Sequence, residues 1–284
     1  MPDVVIPGLT FDDPLPDAPV DGLLNAGSLL LYDPAHPTVP WAAGVPVPGD
    51  TIPNLAWKQA AAIIGAGTET SLKGGVSSTF VQGTGSGKDG VIERTAKGAL
   101  HFIPSQVNDT AGHLYSLLMS EDIRGWLNSH PSATVYLGAS IRVTRKGGAS
   151  ALQNMIRIGQ NGSTLRQSIA ELTNSVVSGN PTSGATFVGR NFISSPGEGV
   201  VAVTTTAAAV TTIIASLTFA GPASATYLHK APSWILEDLY IELPALSGLT
   251  HDQILARQQE RRANRYKPGG VLYGDTWTNP TAVP

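Results

Sequence analysis

The chain has 284 residues, 14% of them charged, with a formal net charge of −3 and no cysteine. That length suits one large domain or two small ones, and the lack of cysteine excludes a disulfide framework, a thiolate zinc site and a cysteine nucleophile. Without a basic field, neither nucleic acid nor an anionic membrane is an expected partner.

Residues 1–53 hold no Lys or Arg, seven aspartates including Asp21 and Asp33, and more than half of the 21 prolines. Proline fixes φ and removes a donor, so this segment reads as an extended arm that joins no ladder or helix. Its start, MPDVVIPGLTFDDP, lacks the basic and apolar regions of a signal peptide. The stretch GLLNAGSLLLY (22–32) carries Leu23, Leu24, Leu29, Leu30 and Tyr32, which want a surface to lie on.

NLAWKQAAAIIGAG (54–67) predicts a helix capped by Asn54 and stopped by Gly65. The glycine-rich KGGVSSTFVQGTGSGKDG (73–90) predicts turns. A phosphate-binding loop would need Gly at Gln82 and Ser or Thr at Asp89, so none is expected. A second helix is predicted over Ala111–Asn128. ATVYLGASIRVTR (133–145) alternates with period two, placing Val135, Leu137, Ala139, Ile141 and Val143 on one face of a strand. LQNMIRI and LRQSIAEL flank Asn161-Gly162, a hairpin signal. Further strand runs are ATFVGRNFI, GVVAVTT, VTTIIASLTFA, ATYLHK and WILEDLYIEL. Residues 200–220 are apolar, but six threonines and a serine interrupt them, which suits two strands better than a membrane span. Thr250 and Gln253 form a capping box for a last helix that ends before Pro268-Gly269-Gly270.

The pattern is that of an all-β chain: a jelly-roll β-sandwich over 54–249 with short helical insertions, an N-terminal arm (1–53), and a C-terminal helix and tail (250–284). Little in it proposes chemistry. The six histidines are scattered without metal-ligand spacing, no nucleophile elbow is present, and no cofactor is expected. Strict alternation puts Glu237 and Asp238 on opposite faces, with Glu237 beside Leu239 and Ile241, so no carboxylate pair is available for glycan cleavage. The last helix carries Arg257, Arg261, Arg262 and Arg265. A solvated face is the common reading of such a run; the functional one is contact with the acidic arm, preferably that of a neighbouring copy. Leu272, Tyr273 and Trp277 would anchor the tail in the same way.

Residues 233–284, from SWILEDLYIEL through SGLTHDQI to KPGGVLYGDTWTNPTAVP, resemble the ends of concanavalin A-like, laminin-G-type jelly-roll proteins found among tailed-bacteriophage structural genes. The resemblance implies a non-enzymatic virion protein, assembled in the host cytoplasm as a capsid decoration or a tail or fibre part. Its partners would be copies of itself, plausibly as a trimer held by the arms, and other virion proteins. The alternative is a carbohydrate- or receptor-binding module whose loops GQNGST, SVVSGNPTSG and SSPGEG bind a host surface glycan. Lectins of this kind often use Ca²⁺, but no loop here clusters Asp and Asn to hold it. A glycan-cleaving enzyme ranks third.

Overall fold

The computed structural model describes residues 21–39, 41–107, 113–147, 153–159, 166–172, 175–179, 193–207, 213–215 and 231–283. Within them are fourteen strands: β1 (Ser28–Tyr32), β2 (Thr51–Ile52), β3 (Gly74–Ser78), β4 (Gly90–Arg94), β5 (Leu100–Pro104), β6 (Tyr115–Leu118), β7 (Thr134–Arg145), β8 (Gln153–Gly159), β9 (Arg166–Leu172), β10 (Ser175–Gly179), β11 (Ile193–Ser194), β12 (Glu198–Thr206), β13 (Ile213–Ala215) and β14 (Ser233–Glu242). The helices are α1 (Trp57–Ile64), α2 (Glu121–Ser129), α3 (Pro244–Ser247) and α4 (His251–Tyr266).

The protein is mainly β, as its sequence pattern predicts. The main antiparallel sheet runs β12-β7-β14-β5-β4, with β1 paired to the C-terminal half of β14. A second sheet runs β11-β10-β9-β8-β13, and a small third one β2-β3-β6. Leu137, Ala139, Ile141, Leu236, Leu239 and Ile241 of the main sheet share one core with Met155, Ile169 and Val176 of the second. The inward row of β7 is the predicted one, since period-two alternation is the geometry of a strand with one face on a core.

The other face of the main sheet is also covered. An antiparallel sheet commonly leaves one face to water, yet all ten residues of β14 are buried, because α4 lies over the outer side. Ile254 and Leu255 of α4 pack with Tyr136, Tyr240, Leu23 and Leu31. Gly138 lets the helix approach: a Cβ there would sit 2.2 Å from Gln258 Oε1. The Thr250–Gln253 capping box starts α4 as expected.

Several expectations are corrected. Residues 28–32 of the predicted arm are a ladder strand, so the domain takes in chain N-terminal to residue 54. The prolines that argued against pairing stop at Pro19 and resume at Pro34, leaving a proline-free run that fills a doubly covered strand position. Asn54 does not cap α1. Its side chain accepts from Leu31 N at 3.0 Å and donates to Leu29 O at 3.0 Å, tying the helix approach to β1; Gly65 does end α1, at φ +78°. The second helix is shorter than predicted, since Tyr115–Leu118 pairs with β3 and Ser120 caps α2. Of residues 200–220, the described parts form β12 and β13, and no helix among the described residues is long and apolar enough to cross a membrane. The Asn161-Gly162 turn and the runs 185–192 and 225–230 lie outside the described residues, although β8 and β9 pair antiparallel as a hairpin requires.

Candidate functional site

The basic residues of α4 turn toward the sheet. Arg261 donates to both Asp21 oxygens at 2.7–3.0 Å, to Asp33 Oδ2 at 2.6 Å and to Asp238 Oδ2 at 2.7 Å. Arg265 donates to Asp33 Oδ1 at 2.7 Å and to the Glu237 carbonyl at 3.1 Å. Arg262 meets Glu237 with two hydrogen bonds of 2.7 and 2.8 Å, and Tyr266 donates to the same carboxylate at 2.7 Å. Arg257 donates to the Gly22 carbonyl at 2.7 Å. Burial alone would raise the Asp21 carboxyl, but the hydrogen bond and charge of Arg261 outweigh it and hold the group below the usual range. The partner expected for these arginines is therefore corrected: the acidic segment they bind belongs to their own chain.

A bulge makes this network possible. The pairing of β14 with β7 steps from Leu236–Ile141 to Asp238–Ser140, leaving Glu237 as the extra residue. An inserted residue breaks the alternation, so Glu237 and Asp238 both face α4 rather than opposite sides, and both are spent on arginines.

The tail also folds onto its own domain. Leu272 is fully buried with Ala35, Ala99 and Ile235. Trp277 is half-buried, its ring edge-on to His101 and under the Arg142 guanidinium at 4.9 Å. Thr278 donates through N and Oγ1 to Glu93 at 2.8 and 2.6 Å. Arg145 donates to the Pro280 carbonyl at 2.7 Å. Leu23, Leu29, Leu30 and Tyr32 are buried, and Leu24 packs partly buried against the core under α4. Of the residues assigned to contacts between copies, Tyr273 alone is largely exposed, at 52%; the others are covered within one chain.

What the two terminal segments build between them is a two-lobed groove. One lobe, about 560 Å³, lies between α4 and residues 21–37, and its charges balance: Arg257, Arg261 and Arg265 face Asp21, Asp33 and Glu260. The second, about 420 Å³, adjoins it through His36, Pro37 and Val271. Its walls are residues 34–37, residues 41–44 and the β4–β5 turn, and it has Arg94 and Lys97 in its lining but no Asp or Glu. The tail sets that turn, since Ala96 N donates to the Thr276 carbonyl and Lys97 N to Asp275 Oδ1, both at 2.8 Å. Gly98 turns the chain at φ +94° and leaves room for the Arg94 guanidinium, 3.1 Å from where a Cβ would stand.

Arg94 is under-satisfied. Its Nη2 donates to the Pro34 carbonyl at 2.6 Å, while buried Nε and Nη1 have no acceptor among the described residues. Burial pulls its pKa down, the direction for a cation with too little compensation. Trp41, the floor, is 4% exposed with an unpartnered Nε1. His36 Nδ1 accepts from Val39 N at 3.1 Å, which leaves the proton on Nε2; burial keeps this imidazole below its ordinary pKa, against the pull of Asp33 and Asp21.

None of the cleft residues was singled out by the sequence. Trp41 and Arg94 lie far apart in the chain, and only their pairing across the fold gives them meaning. The proposed glycan loops GQNGST and SVVSGNPTSG lie outside the described residues except for Gly159 and Ser175–Gly179. SSPGEG (194–199) is described throughout, and its Gly197 carbonyl accepts from Val143 N of β7 at 2.8 Å. No group of three or more metal-ligating side chains occurs among the described residues.

No protein-family model and no curated protein matches the chain. Among solved structures it is similar to the binding domain of botulinum neurotoxin serotype D/C, at 10% identity and TM-score 0.44, covering 84% of this chain and 53% of that one. It is also similar to the binding domain of Paraclostridial mosquitocidal protein 1, at 10% identity and TM-score 0.41, covering 81% and 51%. The chain spans about half the length of these structures, and likeness at this level carries no statement about ligands.

Proposed function

We propose that the chain is a recognition module that binds a surface carbohydrate in the cleft between residues 34–37 and 41–44 and the β4–β5 turn. The observation that carries this reading is the surplus of donors there: Arg94 Nε and Nη1 and Trp41 Nε1 are buried with no acceptor among the described residues, and Lys97 stands exposed in the same lining. A concave site of a few hundred Å³ with a few convergent polar groups is the usual form of a small-ligand site, and a sugar offers the acceptors that these donors lack. Binding is favoured over cleavage because no carboxylate lines this lobe, and Asp21 and Asp33 next door are engaged by Arg261. Assembly through terminal arms, by contrast, has less support, since the residues named for it other than Tyr273 make contacts within their own chain. The place we propose for the module, a tailed-phage particle, rests on the resemblance of residues 233–284; its copy number in purified particles tests that.

A glycan array tests the binding reading. The wild-type protein should retain a defined set of sugars, and Lys97→Ala and Arg94→Met, both folded by circular dichroism, should retain fewer. Equal retention by all three proteins would remove the cleft from the account.

A further inference from the structure

We infer that the ligand of this cleft carries a carboxylate, as an acidic saccharide does; this rests on the recognition reading above. In the adjoining lobe the acids meet two of the three arginines: Arg261 and Arg265 pair with Asp21, Asp33 and Asp238, while Arg257 donates to the Gly22 carbonyl, with Glu260 also in the lining. The Arg94 lobe has no acid in its lining. Arg94 has one neutral acceptor, the Pro34 carbonyl, and the face of the Trp41 ring 5.9 Å from its guanidinium carbon, and Lys97 has no ion-pair partner among the described residues. The nearest carboxylate with influence on Arg94 is Asp33, and its two oxygens are taken by Arg261 and Arg265 at 2.6 and 2.7 Å.

A buried guanidinium N–H without an acceptor is costly; Arg142 and Arg265 each leave Nε so placed, but Arg94 leaves two nitrogens, and beside an open cleft these suit an acceptor from outside. A planar carboxylate matches the fork of a guanidinium. Nε and Nη1 lie beneath the cleft surface, so engaging them requires Arg94 to change its side-chain torsion. Its one recorded hydrogen bond holds it back, and Gly98 places no Cβ in its way. Lys97 on the turn then supplies a second positive charge to the same group. His36 stays neutral, and contributes an Nε2–H donor rather than a charge.

The test is calorimetric titration of the full chain with trigalacturonate, its methyl ester, sialyllactose and lactose. The acidic arms separate a uronic from a sialic source of the carboxylate, and the esterified and neutral arms remove the charge while leaving the rings. At least one acidic sugar should bind at least about tenfold more tightly than its neutral counterpart, equivalent to about 1.4 kcal/mol. That preference should disappear in Arg94→Met and shrink in Lys97→Ala and at high salt. Equal affinity for acidic and neutral sugars would overturn this inference while leaving the recognition reading in place. An acidic preference that survives both substitutions would place the carboxylate elsewhere and overturn it too. No binding on the array and none in the titrations would overturn the recognition reading itself.

Discussion

Arg261→Met removes the centre of the ion network under α4 while keeping most of the side-chain volume. The substitution deletes the hydrogen bonds to Asp21, Asp33 and Asp238. Asp33 and Asp238 keep Arg265, at 2.7 and 3.4 Å, and Asp21 keeps only the Leu23 amide at 3.0 Å. Removing one partner from a buried charge cluster costs about 3–5 kcal/mol. At about 2–4 °C per kcal/mol for a domain approaching this size, the melting temperature should fall by roughly 6–20 °C. The loss should not depend on protein concentration, because every partner is in the same chain. It should also narrow at acid pH. Asp21 has a folded pKa below its unfolded value near 3.8, so its contribution is present above that value and is lost as pH falls through the folded one. Scanning calorimetry at several concentrations, at pH 7 and pH 3, reads all of this. A change below about 2 °C at pH 7 would show that α4 is merely a solvated basic helix, and a concentration-dependent loss would return the arginines to contacts between copies.

Three further outcomes are expected. Deleting residues 268–284 exposes the site of Leu272, worth about 1.5–3 kcal/mol alone, and frees the β4–β5 turn, so both melting temperature and sugar binding should fall while the mass in solution stays the same. Gly98→Ala forces a Cβ into left-handed backbone against Arg94, at a cost of about 1–2 kcal/mol, and should weaken binding more than it weakens folding. The Thr278 amide should lose its protection from hydrogen exchange as pH falls from about 6 towards 4. Burial lowers the His101 pKa, ahead of the opposing pull of Glu93. Burial alone would raise Glu93, but hydrogen bonds from Thr278 and His101 hold it down. Both groups thus stabilise this latch at neutral pH and oppose it in acid. Protection that is flat across that range, after correction for intrinsic exchange, would contradict this.

The legible parts of this molecule are those whose causes are local. The alternation of β7 and the Thr250–Gln253 box each depend on a few neighbouring residues, and both stand where the pattern puts them. β1 is not legible because prolines on either side of it dominate residues 1–53, and a short apolar run covered on both faces carries no alternation. The bulge at Glu237 is set by the register of β14 against β7, which no stretch of one strand records. Arg257, Arg261 and Arg265 recur every four residues, so they share one stripe of α4, and an inward arginine stripe needs buried acids. Asp21, Asp33 and Asp238 are those acids, and Glu237 answers Arg262; reading the acidic segments together with the helix is the available signal. The cleft gave no such sign, since it is made by a turn, a tail and an N-terminal segment that meet only in the folded chain.

The most direct measurement is a crystal structure of the protein with trigalacturonate or sialyllactose bound. The account predicts a carboxylate in the lobe above Trp41, within about 2.7–2.9 Å of Arg94 nitrogens, with Lys97 turned toward it. A sugar seated on another face, with Arg94 still held by the Pro34 carbonyl alone, would contradict it.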